Sequence, residues 1–295
     1  MKAVVTGGAG FIGHHLVKRL VLDGWFVHVI DNLSTGSMKN LEGIDETQIQ
    51  FHLIDIAYDP IPDLEAVDAV FHLAAPVSVP ESLEIPSKYR DGIQRGSRNM
   101  IEWSYLHMVK SFTAASTAAV YGEPDQLPIK ETFKLAPLSP YAEYKLEMES
   151  YMKKSHRSTL KCTALRFFNV FGEGQRATGG YVSAVPIFLE QYQSYKPITV
   201  TGDGTQTRDW IYVGDIVNAM LKASEAKYKP EMPIYNVGSG NETQVIEVAE
   251  ALGGELVHIE KRLEPMRSVA DISAITKELN WRSRTNLLSW IKLVK

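Results

Sequence analysis

Tyr141 and Lys145 are the residues of this 295-residue chain whose types and spacing most directly indicate chemistry. Residues four apart lie on one face of a helix, and a nearby ammonium favours the phenolate form of a tyrosine, whose unperturbed pKa is about 10. Tyr141 can then act as a base near neutral pH. Because the chain has 13 tyrosines, this spacing can also arise by chance, as a solvated pair on a helix.

The residues upstream of this pair form a predicted strand with hydroxyl side chains at its end. An apolar run at 109–115 predicts a strand, and the sequence STAAVYG (116–122) follows it. Hydroxyl groups at the carboxyl end of a parallel strand lie where such sheets open onto a bound cofactor. We therefore expect the hydroxyl groups of Ser116 and Thr117 to lie where the sheet opens onto a bound cofactor.

A glycine-rich turn stands near the start of the chain. Gly7, Gly10 and Gly13 follow an apolar strand at 2–6 and open a helical pattern. Without β-carbons they permit a tight turn, close approach of the backbone to a diphosphate and close packing of helix on strand. The helix N-terminus adds amide donors. The alternative is an ordinary strand-to-helix turn, but Asp31, at the end of the next strand, favours a dinucleotide.

Asp31 and its neighbours indicate which dinucleotide would bind. A carboxylate at this position accepts hydrogen bonds from the adenosine ribose hydroxyls and repels a 2′-phosphate. The next residues, Asn32, Leu33 and Ser34, include no arginine that could receive such a phosphate, so NAD is favoured over NADP. Asp55, at the end of the third apolar strand, is either an adenine contact or the N-cap of a helix.

Short apolar runs alternate with helical patterns and must position these residues. The runs lie at 2–6, 25–30, 51–54, 69–73, 109–115 and 161–167, and helical patterns cover 98–107 and 142–155. This alternation predicts an α/β fold, a doubly wound parallel sheet of the Rossmann type. Only segment 38–50 shows little pattern.

The second half of the chain has a different texture. From about residue 170, glycine, threonine and charged residues form loop-like stretches around two helical patterns, at 182–192 and 213–223. We therefore expect a NAD-binding domain over 1–165 and a smaller, loop-rich α/β lobe over 166–295, with some segments returning to the first domain.

Composition and charge exclude several classes of protein. The chain has 31 Lys and Arg against 35 Asp and Glu, a net charge of −4, and no basic cluster, so no nucleic-acid partner is expected. No apolar run is long enough for a membrane span or a signal peptide. The single cysteine, Cys162, suits a reducing compartment, and we expect a cytoplasmic protein. The eight histidines lack metal-ligand spacing, so no metal is expected.

Seven motifs resemble the extended short-chain dehydrogenase/reductase superfamily, in its nucleotide-sugar branch of epimerases and dehydratases. They occur in the family's order over residues 1 to about 280: GGAGFIG (7–13), DNLSTG (31–36), HLAA (72–75), STAAVYG (116–122), SPYAEYK (139–145), LRFFNVFGEGQ (165–175) and GDGTQTRDWIYVGDI (202–216). The resemblance implies that Thr117, Tyr141 and Lys145 are catalytic. It also implies that the lobe over 166–295 binds the nucleotide sugar, and that Asn169 and Arg208 hold its diphosphate, whose paired oxygens a guanidinium matches.

The resemblance extends to the other contacts of the site. The implied cofactor-binding residues are Gly7, Gly10, Phe11, Ile12, Gly13, Asp31, Asn32, Ser34, Thr35, Gly36, Asp55, Ile56, Leu73, Ala74, Ala75, Ser116, Tyr141, Lys145 and Phe168. The implied substrate-binding residues are Thr117, Tyr141, Asn169, Val185, Arg208 and Arg267. A homodimer formed through a two-helix face is implied as well.

Ala118 and Ala119 indicate the branch of the family. Its dehydratases and decarboxylases generally have an acidic residue in this segment, and without that carboxylate the machinery serves exchange at one carbon. The chain thus resembles the UDP-sugar 4-epimerases, which implies NAD-dependent inversion of C4 in UDP-glucose/UDP-galactose or the N-acetylhexosamine pair, through a transient 4-keto intermediate. The alternatives are a dehydratase, a decarboxylase, a 4-ketoreductase, or a non-catalytic protein that binds NAD or a nucleotide sugar.

Three positions depart from the family pattern. Ile93 stands where the family usually has an asparagine that supports the cofactor region, and Pro76 follows HLAA where a polar residue is more usual. Near the end of the chain, Lys261, Arg262 and Arg267 compete for the role of the arginine that contacts the substrate diphosphate. The identity of the sugar and of the nucleotide stays open.

Overall fold

Strands and helices alternate through most of the chain. The structure is a computed structural model that describes residues 1–177, 183–260 and 265–295. The described strands are β1 (Lys2–Thr6), β2 (Phe26–Asp31), β3 (Ile49–Leu53), β4 (Ala69–His72), β5 (Ser111–Thr117), β6 (Lys161–Phe167), β7 (Asn169–Phe171), β8 (Ile198–Thr201), β9 (Thr207–Arg208), β10 (Trp210–Tyr212), β11 (Ile234–Val237), β12 (Thr243–Gln244) and β13 (Leu256–Ile259). The described α-helices are α1 (Phe11–Leu22), α2 (Val79–Glu84), α3 (Pro86–Tyr89), α4 (Gly96–Leu106), α5 (Pro140–Ser155), α6 (Ala184–Gln193), α7 (Val213–Glu225), α8 (Val245–Leu252), α9 (Ser273–Leu279) and α10 (Leu287–Val294).

Seven strands form one sheet in the order β3-β2-β1-β4-β5-β6-β11, with every neighbouring pair parallel. The chain moves outward from β1 to β3 and then returns to β4 on the other side of β1. The predicted α/β fold with a doubly wound parallel sheet is therefore confirmed. At such a reversal the connections that follow β1 and β4 run in opposite directions, which leaves a crevice outside the carboxyl ends of the strands where ligands bind.

Both faces of this sheet are covered by helices. Within β1, Ala3 and Val5 pack with α1 and α7, whereas Val4 packs on the opposite face with α4 and α5. Successive side chains of a strand point to opposite faces, and here both faces are buried. This explains why the strands appear in the sequence as continuous apolar runs.

Segments from the second half of the chain return to this sheet. β11 pairs with β6 at its edge, and α7 packs against α1. Other elements of the second half form a separate apolar core, in which α6, α8 and α10 pack around short two-stranded sheets. Trp290 and Ile291 of the eight-residue α10 are buried in that core.

Two helices begin earlier than their sequence patterns predict. α5 starts at Pro140 because the Ser139 side chain accepts a hydrogen bond from the Ala142 amide and proline suits the first position of a helix. α4 starts at Gly96 and continues a π-helical turn at Arg90–Arg95. The first residue of the predicted helix 182–192 lies outside the described residues, and α6 begins at Ala184.

Segment 38–50 contains two short 3₁₀ turns, Met38–Leu41 and Glu46–Gln48, before β3 begins. The side chains of Ser37 and Asp45 cap them by accepting backbone amide hydrogen bonds. Such turns depend on local caps and not on a repeating apolar face, so the sequence shows little pattern there.

Within the described part of the chain, no helix combines the length and the apolar character needed to cross a bilayer. The same residues include no group of three or more His, Cys, Asp or Glu side chains that could hold a metal ion. Cys162 is buried in β6 with a free thiol.

Candidate active site at the carboxyl ends of the strands

The glycine turn between β1 and α1 is packed too closely for side chains. Gly7 has a φ of +69°, and a β-carbon there would lie 2.8 Å from the backbone nitrogen of Ala74. A β-carbon on Gly13 would lie 2.0 Å from the carbonyl oxygen of Gly7. The N-cap Gly10 brings no side chain to the first turn of α1, so an anion can take the place of a capping group at its positive end.

Asp31 ends β2 beside this turn. Its Oδ2 accepts a hydrogen bond from the Ala9 amide at 3.0 Å, and its Oδ1 accepts one from the Leu33 amide at 2.8 Å. Each carboxylate oxygen has a further lone pair, so Asp31 can also accept from the hydroxyls of a ribose. The buried carboxylate thus anchors the glycine turn to the end of β2.

Asn32 and Asp55 are joined across the ends of β2 and β3. The Asn32 side-chain nitrogen donates to Asp55 Oδ2 at 2.9 Å, and the Ser34 amide donates to Asn32 Oδ1 at 3.0 Å. Asp55 Oδ1 also accepts from the Ala57 amide at 2.9 Å, which makes an Asx turn. Asp55 therefore has a local cap-like role, and its predicted adenine contact stays a prediction.

Three other residues of the predicted cofactor face lie in packed surroundings. Gly36 packs against Ala9 of the glycine turn, where a β-carbon would lie 3.0 Å from the Ala9 carbonyl carbon. Ile56 is buried and approaches Gly96 at the start of α4. Phe168, just after β6, is buried in a small apolar cluster with Val120.

A buried polar chain that the sequence did not reveal links the ends of β1 and β4. The hydroxyl oxygen of Thr6 accepts from the amides of Leu73 and Ala74, each at 3.2 Å, so its proton is left for His72 Nδ1 at 2.9 Å. His72 Nε2 then donates to Ser97 Oγ at 2.8 Å. Burial lowers the pKa of His72 to about 3, which keeps the ring neutral. The available signal was a histidine within the apolar run AVFHL.

Lys145 points from α5 to the end of β5. Its side chain is only 3% exposed, and Nζ donates a hydrogen bond to the carbonyl oxygen of Ala115 at 2.8 Å. Burial lowers the pKa of Lys145 to about 8, while the charge of Glu149 acts in the opposite direction. A buried cation is thus held two residues before Thr117.

Thr117 and Tyr141 complete the predicted catalytic group. Thr117 is the last residue of β5, and its Oγ1 accepts from the Ala119 amide at 3.1 Å, capping a 3₁₀ turn at Ala118–Tyr121. Tyr141 is half-buried, one helical turn before Lys145, and its ring meets that of Tyr89 edge to face with centroids 6.4 Å apart. α5 packs against both β5 and the 3₁₀ turn, so these side chains belong to one region.

Asn169 and Arg208 lie on short strands in the second half of the chain. β7 pairs with β10, and the Asn169 amide donates to the carbonyl oxygen of Asp209 at 3.0 Å. Arg208 is 8% exposed, and its Nη1 donates to the carbonyl oxygen of Thr207 at 2.7 Å. The two residues predicted to hold a diphosphate therefore both adjoin Asp209.

Asp209 is a fully buried carboxylate that the sequence did not single out. It accepts hydrogen bonds from the amides of Ser239 at 2.5 Å, Gly240 at 3.0 Å and Ala270 at 3.0 Å. Burial raises the pKa of Asp209, and these hydrogen bonds oppose the rise. The carboxylate fixes two loops beside Arg208, and its position directly after Arg208 in the sequence was the one local signal.

Arg267 is engaged with a carboxylate in this structure. Its Nε and Nη2 donate to the two carboxylate oxygens of Glu242, at 3.0 and 2.5 Å. Val185, also predicted to contact substrate, belongs to α6 and is buried in the separate apolar core that α6 forms with α8 and α10. Lys261 and Arg262 lie outside the described residues, so the competition among the three cations stays open.

The two departures near the cofactor region occur next to each other. A β-carbon on Gly92 would lie 2.8 Å from Pro76 Cδ, so the π-helical turn Arg90–Arg95 sits directly against Pro76. Ile93 of that turn is fully buried in the apolar cluster shared with α5. π-Helical turns are frequent at functional sites, and this one packs against the helix of Tyr141 and Lys145.

Comparisons with known proteins agree with this geometry. The model of the NAD dependent epimerase/dehydratase family matches residues 3–238. A putative UDP-glucose 4-epimerase of Methanocaldococcus jannaschii is 34% identical, over 99% of this chain and 96% of that protein.

Solved structures are also similar over nearly the whole chain. The UDP-N-acetylglucosamine 4-epimerase of Methanobrevibacter ruminantium, in complex with UDP-N-acetylmuramic acid, has a TM-score of 0.91 and 31% identity, covering 99% of this chain and 95% of that one. The UDP-glucose 4-epimerase of Thermus thermophilus, in complex with NAD, has a TM-score of 0.85 and 31% identity, covering 100% and 97%. The glycine turn, the parallel sheet and these similarities together show that the chain belongs to the NAD-dependent epimerase/dehydratase family.

Proposed function

We propose that this protein is an NAD-dependent UDP-sugar 4-epimerase, which inverts C4 of a UDP-hexose or a UDP-N-acetylhexosamine through a transient 4-keto intermediate. The observation that carries the proposal is the buried Lys145 ammonium, held on the Ala115 carbonyl one turn from Tyr141 and at the end of the strand that carries Thr117. Similarity to 4-epimerases over almost the whole chain supports the same reaction.

The glycine turn fits the diphosphate of a dinucleotide. Gly7 and Gly13 are packed where no side chain fits, Gly10 leaves the first turn of α1 without a capping side chain, and Asp31 offers lone pairs to the ribose. NAD, when bound, takes up a hydride from the sugar and returns it. We propose that the ends of β1 and β4, held together by Thr6, form the wall of this site.

Tyr141 is proposed as the base that removes the proton from the C4 hydroxyl and later returns it. The Lys145 ammonium stabilises the phenolate, because an adjacent positive charge favours the charged form of a tyrosine. Thr117 Oγ1 already accepts from the Ala119 amide, so its hydroxyl proton is available to the reacting oxygen of the sugar.

Inversion requires the 4-keto sugar to present its other face before reduction. We propose that Asn169 and Arg208 keep hold of the diphosphate while the sugar ring turns, since a buried guanidinium is a strong partner for paired phosphate oxygens. Ala118 and Ala119 offer no carboxylate for the elimination or decarboxylation chemistry of other family branches.

The proposal is tested by incubating the purified protein with a panel of UDP-sugars and identifying the products by chromatography and mass spectrometry. We expect one UDP-sugar to be converted to an isomer of equal mass. A product lighter by water indicates a dehydratase, and one lighter by carbon dioxide indicates a decarboxylase. If no sugar is converted and the absorbance of the bound cofactor never changes, the protein is a non-catalytic binder.

We further propose a homodimer in the cytoplasm. α4 and α5 lie side by side on one face of the sheet, which supports a two-helix face for self-association. Light scattering on the purified protein should give twice the mass of the 33.0 kDa chain. A single-chain mass at all concentrations tested would contradict the dimer.

A further inference from the structure

A buried ion pair joins α5, the helix of Tyr141 and Lys145, to β6. Glu149 of α5 and Arg166 of β6 are 3% and 2% exposed, and the guanidinium forks onto the carboxylate, with Nε–Oε1 at 2.9 Å and Nη2–Oε2 at 2.7 Å. Because both ions lose their hydration, a buried pair is often no more stabilising than apolar residues of similar volume. Stability alone therefore does not explain why two charged residues are buried here.

Glu149 is connected to the proposed site through its own helix. Tyr141, Lys145 and Glu149 follow one another at intervals of four and share a face of α5. Lys145 Nζ donates to the Ala115 carbonyl oxygen at 2.8 Å, and Ser116 Oγ donates to Glu149 Oε1 at 2.5 Å. Two successive turns of α5 are thus bonded to two successive residues of β5, immediately before Thr117.

The orientation of Glu149 is in turn set from several elements. Arg166 Nη1 donates to the Tyr121 hydroxyl at 2.8 Å, and that hydroxyl donates to Asn236 Oδ1 at 2.6 Å. Asn236 belongs to β11 and donates through its side chain to the Ile129 carbonyl oxygen at 2.8 Å. The carboxylate is thereby supported from β5, β6, the 3₁₀ turn and β11, so its position is well determined.

The charges around Lys145 give Glu149 a second effect. α5 contributes Glu149 and Tyr141, β4 contributes His72, which is kept neutral by burial, and β6 contributes Arg166, paired with Glu149. Burial lowers the pKa of Lys145 to about 8, and the negative charge of Glu149 raises it. Glu149 therefore favours the ammonium form that the proposed reaction needs.

We propose that Glu149 is a positioning residue: with Ser116 and Arg166 it fixes α5 against β5 and holds the Lys145 ammonium beside Tyr141. This inference rests on the proposed function. Glu149 does not contact the sugar; it acts through Lys145 and through the placement of the helix.

The test is the substitution Glu149→Gln, which keeps the side-chain shape and removes the charge. In the active form Tyr141 is a phenolate and Lys145 an ammonium, so the acid limb of the kcat profile follows Tyr141 and the alkaline limb follows Lys145. Loss of the nearby negative charge lowers both pKa values, and lowers that of Lys145 more because it is one turn closer.

We therefore expect kcat at neutral pH to fall about tenfold or more, KM to stay within about twofold, and both limbs to move to lower pH, the alkaline limb further. Glu147→Gln is the matched control, because this substitution makes the same charge change on the exposed side of α5. It should retain the wild-type profile. A lowered kcat in E149Q with unmoved limbs would overturn the proposal and leave Glu149 a purely structural residue.

Two additions keep the test decisive. If E149Q does not fold, the double variant E149Q/R166Q leaves no unpaired buried charge and should shift the limbs in the same direction by less. The ionisation of Tyr141 can also be followed by ultraviolet phenolate absorbance, as the difference between each protein and its Tyr141→Phe derivative. That titration should move to lower pH in E149Q. It decides the role of Glu149 even if no UDP-sugar is converted, in which case only the proposed function fails; an unmoved titration overturns the inference.

Discussion

At the residue scale, burial disfavours the positive charge of Lys145, and specific contacts stabilise that charge. Burial lowers its pKa to about 8, and the Ala115 carbonyl oxygen at 2.8 Å and the charge of Glu149 act against deprotonation. A cation that stays protonated near neutral pH while shielded from water acts strongly on a neighbouring phenol, because the low dielectric weakens screening. The strength of Tyr141 as the proposed base should therefore depend on the burial of Lys145.

We predict that Tyr141→Phe lowers kcat by about 10²–10⁴-fold, the range expected for the loss of a general base. UDP-sugar affinity should change little, since phenylalanine keeps the ring contact with Tyr89. Steady-state kinetics and calorimetric binding measure the two quantities. Tyr144→Phe, a change to a half-buried tyrosine on the same helix, should retain activity. Near-normal turnover in the Tyr141 variant would show that another group is the base.

At the element scale, the approach of the segment after β4 to the glycine turn decides what the turn can tolerate. Gly7 and Gly24 both adopt left-handed backbone conformations, with φ of +69° and +80°. A β-carbon on Gly7 would meet the Ala74 nitrogen at 2.8 Å, whereas one on Gly24 would meet no atom within 4 Å. The two glycines have similar left-handed backbone conformations, but only Gly7 has another segment of the chain packed against it.

We predict that Gly24→Ala lowers the free energy of unfolding by about 1–2 kcal/mol, the strain of a left-handed residue with a side chain. Gly7→Ala should cost a further ~1–3 kcal/mol from overpacking and should purify with less NAD, because the turn must move away from the segment after β4. Denaturant unfolding and the cofactor content after purification measure both effects. Equal destabilisation and equal NAD content in the two variants would contradict this account of the turn.

At the scale of the whole molecule, the sheet unites the two halves of the chain, and its stability depends on buried groups far from the site. His28 on β2 is 6% exposed and faces His52 on β3, with Nδ1 and Nε2 3.2 Å apart. Burial, followed by the charges of His52 and Lys2, lowers the pKa of His28 to about 4. The unfolded chain therefore binds a proton at a higher pH than the folded chain does.

We predict a loss of stability on acidification that arises partly from this histidine. Its contribution is complete above the ordinary histidine pKa of about 6.5 and is lost as pH falls toward 4, by up to about 1.4 kcal/mol per pH unit. The variant His28→Phe should show a shallower fall. Denaturant midpoints measured between neutral pH and pH 4.5 provide the check, and an unchanged slope in the variant would contradict the assignment.

The accuracy of sequence-based prediction differed between local and long-range features. The strands of the sheet appear as apolar runs because burial on both faces favours apolar residues at most positions, and β6 spans 161–167 as its run predicts. The predicted start of α5 was two residues too late, because the actual start depends on the Ser139 cap. Glu149, His72 and Asp209 were missed because their partners lie on other elements, such as Arg166 on β6 for Glu149.

The sequence by itself determined the α/β class, the family and the spacing of Tyr141 and Lys145, since these follow from periodicity and from motifs contained within single elements. Only the tertiary structure decided that Lys145 is buried against β5, that Glu149 pairs with Arg166 and that the Arg267 guanidinium is engaged by Glu242. The physical reason is that covalent geometry sets local spacing, whereas the partner of a charge is set by which elements the sheet order makes neighbours.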